Sequence, residues 1–257
     1  MFIFVNHLKQ KTIMKKIKLL CFAIVLMSQL GFSQKKKIAV VTFYANKMVD
    51  FADLGIGADV LLKDVLDLRD NPNFNLTPLL EQYHNNFFNT YSKELPFELL
   101  PESDVLNNAA YQAFEPKFDL SKYQAKNYLM YDKYKYIYEG LGGQANEVAV
   151  AKLFADKADG VLFVNIDFAL EKGFGIGGTA TVKMRATTRM ALYNKTGEKV
   201  FAFSESERSK KTSVMVGGIP VMSPEKILPM CESALTELMG DLSKRIAKIT
   251  KKSEMKL

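Results

Sequence analysis

The 257-residue chain has no tryptophan, two cysteines and two histidines. One of each pair, Cys21 and His7, lies in the first 33 residues; the others are Cys231 and His84. A single cysteine beyond residue 33 excludes an internal disulfide there, so the core must hold the domain together unaided. Structural zinc draws on several Cys and His ligands, and one of each, far apart in sequence, argues against it. Asp64, Asp67 and Asp70 recur at three-residue spacing, which lines one side of a helix rather than a calcium loop. A Ser or Cys nucleophile ordinarily borrows histidine as its base. His84 sits in a helical pattern beside Asn85 and Asn86, and no Gly-x-Ser-x-Gly elbow is present. Cys231 falls on an apolar helix face, where a thiol behaves as a small hydrophobe. No catalytic residue, cofactor site or metal ligand is therefore assigned. A two-carboxylate glycosidase stays as an alternative because acids are plentiful, although the missing tryptophan removes the usual sugar-stacking ring.

Long apolar runs are also scarce, apart from one. Met14-Lys15-Lys16-Ile17-Lys18 is a short basic stretch, Leu19 to Leu30 is apolar, and Gly31-Phe32-Ser33 offers small residues three apart. This is the pattern of a secretory signal over Met14–Ser33, with Met1–Ile13 as an N-terminal extension. The run falls short of the roughly 20 apolar residues of a membrane span. Cys21 stands near its start instead of its end, which argues against a lipid anchor. Residues 1–33 carry five lysines and no acid, so the formal charge of +7 falls to +2 without them. The basic balance is thus no argument for nucleic acid as a partner. The expected organisation is an extension and signal over 1–33, then a single domain over 34–257.

The rest of the chain reads as an alternation of elements. Ile38 to Tyr44 is a β-branched run, a strand buried on both faces. Asp59 to Arg69 has helical spacing. Thr77-Pro78 starts a second helix, with the Thr77 hydroxyl as cap, running to about Lys93 along Leu80, Tyr83, Phe87 and Tyr91. Phe97 to Leu100 is a short strand, and Asp104 to Phe114 a short helix. Seven of the eleven tyrosines lie between Tyr111 and Tyr138. With no clean period, 115–143 reads as a tyrosine-rich insertion on the domain surface. Asn146 is expected to cap a helix over Glu147–Lys157, and Val161 to Phe168 is a strand.

Gly173-Phe174-Gly175-Ile176-Gly177-Gly178 formally matches Gly-x-Gly-x-x-Gly. A dinucleotide fingerprint needs a helix directly after it, whereas here an alternating strand follows, so the segment reads as a glycine-rich bend. Over Thr179–Tyr193, Ala180, Val182, Met184, Ala186, Met190 and Leu192 point one way. Thr179, Thr181, Lys183, Arg185, Thr187 and Arg189 point the other, giving one buried and one wet, basic face. Asn194-Lys195-Thr196-Gly197 is a hairpin turn and Glu198–Glu207 the returning strand. Ser223-Pro224-Glu225 opens a terminal helix with Cys231, Leu235, Leu238, Leu242, Ile246 and Ile249 on its apolar face. The predicted class is α+β: a mixed sheet with a long antiparallel hairpin and helices packed on it.

Two segments invite contact with other molecules. Val214, Met215, Val216, Ile219, Val221 and Met222 form an apolar, Gly-Gly-centred stretch that suits an interaction loop or a membrane-touching tip. Tyr128, Tyr131, Tyr134 and Tyr136 make the insertion a candidate protein-binding surface.

The order of elements resembles a known group. Lys37 to Phe43, Phe97 to Leu106, Ala151 to Leu162 and the hairpin through Tyr193–Val200 resemble the CsgG, LpoB and TolB N-terminal-domain families of the bacterial envelope. The resemblance implies a mixed α/β domain that binds envelope proteins without catalysis. It gives no counterpart for 115–143, and the first two groups are lipoproteins, whereas no lipobox is found here. The expected function is a periplasmic or secreted protein acting by contact in envelope assembly or secretion. Peripheral membrane contact and self-association are compatible with it. A membrane-associated pore component and a glycan hydrolase are the alternatives.

Overall fold

The computed structural model describes residues 35–54, 68–117, 126–140, 142–217, 219–220 and 223–251. The signal read over Met14–Ser33, most of the helix read from Asp59, and Val221 and Met222 lie outside the described residues.

The strands are β1 (Lys37–Asn46), β2 (Glu98–Leu99), β3 (Tyr128–Met130), β4 (Gly160–Ile176), β5 (Thr179–Asn194), β6 (Lys199–Val216) and β7 (Ile219–Pro220). The helices are α1 (Thr77–Asn86), α2 (Glu102–Leu106), α3 (Ala109–Ala113), α4 (Ala145–Phe154) and α5 (Pro224–Thr250). A π-helical turn at Phe87–Tyr91 and a last turn at Ser92–Glu94 prolong α1. The fold is α+β. The strands form one mixed sheet in the order β2-β1-β4-β5-β6-β7, with β3 added antiparallel to β1. β1 runs parallel to β2 and β4, while β4, β5 and β6 form an antiparallel meander.

The side-chain alternation of the strands assigns each sheet face its cover. On one face, Ile38, Val40 and Phe43 of β1, Leu162 to Leu170 at even positions of β4, and Val182, Met184, Ala186, Met190 and Leu192 of β5 pack beneath α1 and α5. Helix α5 contributes Cys231, Leu235, Leu238, Leu242 and Ile246, the stripe that its sequence period predicts. Thr188 is a polar residue of β5 on this buried face, and its Oγ1 lies 2.5 Å from the Tyr83 hydroxyl of α1. On the other face, Ala39, Val41, Val161, Phe163, Ala191 and Tyr193 pack against Val105, Tyr111, Val150 and Phe154 of α2, α3 and α4. This second cover reaches only the lower part of the sheet. Above it the outer face carries Asn165, Asp167, Arg185, Thr187 and Arg189, none of them fully buried.

Several local expectations are corrected. Thr77 does not cap α1: the cap position is Leu76, and the Thr77 N–H is satisfied by Asn75 Oδ1 at 3.0 Å. Asn146 lies inside α4. Its buried side chain accepts from Lys117 N and donates to the carbonyls of Lys117 and Tyr138. The single helix read over Asp104–Phe114 is two, α2 and α3, the second capped by Asn108 Oδ1 on Ala110 N and Tyr111 N. The glycine-rich bend is largely strand. β4 continues through Gly173 and Gly175 to Ile176, and only Gly177-Gly178 turns, with φ of 61° and 82°. Gly175 is needed because a Cβ there would lie 2.6 Å from Ala180 Cβ. Part of the insertion joins the sheet as β3.

Candidate functional site

Where the helical cover of the outer face ends, a cleft of about 270 Å³ opens. Its residues come from five places in the chain. Tyr44 and Asn46 end β1, Tyr128 opens β3, Asn165 and Asp167 lie on β4, Arg189 on β5, and Tyr136, Tyr138 and Glu139 come from the extended segment before α4. Tyr128 and Tyr136 stack at 4.4 Å, and Tyr44 meets the Tyr128 ring edge-on at 5.2 Å. These offset and edge contacts are the favoured geometries of aromatic rings. They fix three hydroxyl-bearing rings as one wall.

The floor is polar. Asn165 Nδ2 donates to Asp167 Oδ2 at 2.6 Å. Burial pushes the Asp167 carboxyl above its ordinary range, against the lowering effect of hydrogen bonds from Asn46 and Asn165 and of the Arg189 charge. Burial likewise raises the hydroxyls of Tyr44 and Tyr136, so both act as neutral donors and acceptors. At the rim, Glu139 Oε1 accepts from Tyr193 Oη at 2.5 Å and Arg189 Nη2 at 2.9 Å, and lies 3.2 Å from Lys199 Nζ. Asp167 and Glu139 thus share one cleft, but Glu139 Oε1 is held by two donors and by the Lys199 ammonium. His84 is elsewhere: it lies in the opposite layer, with Nε2 2.7 Å from Glu102 Oε1 and its ring stacked on Tyr131 at 3.6 Å. Cys231 is buried on the sheet-facing side of α5, its thiol pushed up by that burial. Neither reaches the cleft.

A second feature is the free end of the β4–β5–β6 meander. The register sets Ile176, Thr179 and Val216 in one row, with Thr181 and Val214 paired in the next. Phe174 shares that second row, its carbonyl accepting from Thr181 Oγ1 at 3.1 Å. Phe174 is 76% exposed, Ile176 75%, Val216 56% and Val214 44%. Ala180 and Met215, on the other side of the same strands, are buried.

The predicted contact residues therefore divide. Val214 and Val216 lie on the exposed face of the tip, Met215 on its buried face, and Ile219 pairs in register with Val216. Tyr128 and Tyr136 stand together in the cleft. Tyr131 and Tyr134 pack against Phe43 in the main core, and Tyr134 is buried. The four tyrosines do not form one surface. Sequence reading missed Tyr44, Asn46, Glu139, Asp167 and Arg189 as a group, and Phe174 and Ile176 at the tip. A signal existed for Asp167 and its neighbour Asn165: they are the polar residues, at alternate positions, of the otherwise apolar stretch 161–168.

No family model and no curated protein matches the chain. Among solved structures it is similar to the lipoprotein GNA1162 from Neisseria meningitidis, at 13% identity over 80% of this chain and 99% of that one, with a TM-score of 0.27. It is also similar to a putative neuraminyllactose-binding hemagglutinin homolog from Helicobacter pylori (10%, 86% and 88%, TM-score 0.34). A minor lipoprotein from Acinetobacter baumannii matches at 9%, over 42% of this chain and 87% of that one, with a TM-score of 0.23. No helix among the described residues is long and apolar enough to cross a membrane.

Proposed function

We propose that the chain is a non-enzymatic exported protein of the cell envelope that binds another envelope protein through the tyrosine cleft. The carrying observation is the cleft itself: Tyr44, Tyr128, Tyr136 and Tyr138 with Arg189 around a hydrogen-bonded Asp167, left open where the helices stop. Tyrosine and arginine are the residues that dominate protein contact surfaces, because each offers apolar area together with a polar tip. The secretory pattern at Met14–Ser33 and the resemblance to CsgG, LpoB and TolB domains supply the location and the expectation of contact without catalysis.

The test is photo-cross-linking from position 138, whose tyrosine is 43% exposed, in intact cells. A discrete protein adduct is expected, weakened about tenfold or more by Arg189→Glu if the arginine is a hot spot. A cross-linker at this position that captures nothing refutes the reading.

A glycan-hydrolase reading has one observation in its favour, two carboxylates in one cleft. The two donors and the Lys199 ammonium on Glu139 speak against its exchanging a proton with a substrate. Turnover of envelope glycan by the wild-type chain, abolished by Asp167→Asn, would reverse the choice.

A further inference from the structure

We propose that the free end of the β4–β5–β6 meander seats in the headgroup layer of an anionic phospholipid bilayer. This goes beyond a protein partner at the cleft and rests on a different part of the molecule. Phe174, Ile176, Val214 and Val216 are, with Tyr138, the large hydrophobic side chains most open to solvent among the described residues. Four of these five meet on one face of one hairpin tip. A scattered exposed side chain needs no explanation, but a contiguous set does.

The size of the patch selects the partner. Three strands at about 4.8 Å spacing make it about 10 Å wide, and its two rows are about 7 Å apart along the strands. A stable protein interface needs about 800 Å² from each side, far more than such a tip presents. Insertion into a bilayer interface needs only about 5–10 Å of depth, which the two rows match. Gly177 and Gly178 at the apex carry no side chain, and their turn backbone can bond to headgroups and water at that depth. A deeper position would strand it.

Charge gives the sign of the surface. No Asp or Glu occurs from 172 to 197 or from 208 to 224. Arg185 and Arg208 are held by Glu171, with Asp53 also on Arg185, and Lys210 and Lys211 lie near Glu237 and Glu232. Among the described residues the surplus next to the tip is therefore Lys172 and Lys183, one and two rows below Thr181 on opposite faces of the sheet, where long cationic side chains reach lipid phosphates. Glu171 stands directly opposite Lys183, and its cluster with Arg185 and Arg208 sets a polar stop to insertion at that row, so the tip rests on the membrane without spanning it.

The absence of tryptophan makes the experiment local to the tip. Phe174→Trp introduces a single tryptophan, excited at a wavelength that the eleven tyrosines do not absorb, and Ala202→Trp, on β6 far from the tip, is the control. Each full-length variant is mixed with vesicles of phosphatidylcholine, or of phosphatidylcholine with phosphatidylglycerol, carrying bromines near the glycerol backbone. The expected result is quenching and a blue shift for Trp at 174 with phosphatidylglycerol, and neither for Trp at 202. In the Phe174→Trp background, Lys172→Gln is expected to raise the vesicle concentration for half-quenching about five-fold. Ile176→Ser is expected to raise it about ten-fold or more. No quenching at 174, or equal quenching with the two lipids, overturns the proposal. So does a cross-linker at 174 that captures a protein and no lipid. The adduct formed from position 138 reports on the cleft separately, so failure of one reading is visible without failure of the other.

Discussion

The Tyr193 hydroxyl donates to Glu139 Oε1 at 2.5 Å, joining residues 54 positions apart across the outer face of the sheet. The bond ties β5 to the segment that carries Tyr136 and Tyr138 into the cleft. The Tyr193 ring is itself buried against Phe163, so its removal as a side chain would leave a cavity, whereas loss of the hydroxyl alone isolates the bond. Tyr193→Phe is expected to cost about 1–2 kcal/mol, since the acceptor is a carboxylate that keeps Arg189 and Lys199 as partners. Urea unfolding measures it. Hydrogen exchange should quicken in 136–140 and not in α5.

Asp167 gives the cleft a pH signature. Burial raises its carboxyl above the ordinary value of 3.8. Between that value and the folded one, the folded chain holds the proton that the unfolded chain has released. Stability therefore falls as pH rises through this window, and the contribution is present in full only below it. Asp167→Asn cannot titrate. Its stability relative to wild type is expected to improve as pH rises from the ordinary value of 3.8 through this window and then to level off, as read from urea midpoints at each pH. A constant difference would remove the burial argument for this carboxyl.

Gly197 closes the β5–β6 hairpin with φ of 84°, and a Cβ there would sit 2.5 Å from both Cα and Cγ2 of Val148 on α4. Two penalties coincide, a left-handed backbone and an overpacked contact. Gly197→Ala is expected to destabilise the domain by about 2–4 kcal/mol. Gly177→Ala, with a similar φ of 61° but open space around it, should cost about 1 kcal/mol. Thermal unfolding of the two variants separates the packing penalty from the backbone one.

What could be read from the sequence follows from what sets each element. β5 was legible because its alternation is a local consequence of one buried face, and Ala180 through Leu192 are buried as read. The stripe of α5 was legible for the same reason. The continuation of β4 past Phe168 was not. Gly173 and Gly175 look like chain breakers, but they are small because Thr181 and Ala180 of the next strand crowd them. Asn146 looked like a cap because caps are asparagine-rich, yet its side chain is spent on Lys117 and Tyr138. β3 carries no period of its own and is strand only because β1 has a free edge beside it. The cleft was illegible for a different reason. Its residues run from Thr42 to Arg189 without a recurring spacing, and only the parallel pairing of β1 with β4 brings Asn46 to Asp167.

Glu171 is the structural counterpart of the tip. Its side chain is largely buried, with Arg185 Nη1 on one oxygen and Arg208 Nε on the other. Arg185 and Arg208 stand directly opposite each other on β5 and β6, so the carboxylate separates two like charges that the register forces together. Glu171→Gln removes that separation while keeping the shape. It is expected to cost about 1–3 kcal/mol, below the range for a fully buried pair because Arg208 is largely exposed and Asp53 still serves Arg185. Arg208→Gln leaves the Glu171–Arg185 pair whole and should cost less than about 1 kcal/mol. The decisive comparison is the double variant. Like charges facing each other across an antiparallel pair are destabilising, and removing Arg208 in the Glu171→Gln background removes the repulsion. The double variant is therefore expected to be more stable than Glu171→Gln alone, a coupling whose sign a double-mutant cycle in urea reads directly. Additive costs would mean that Glu171 acts through packing and not as the counter-charge of two arginines.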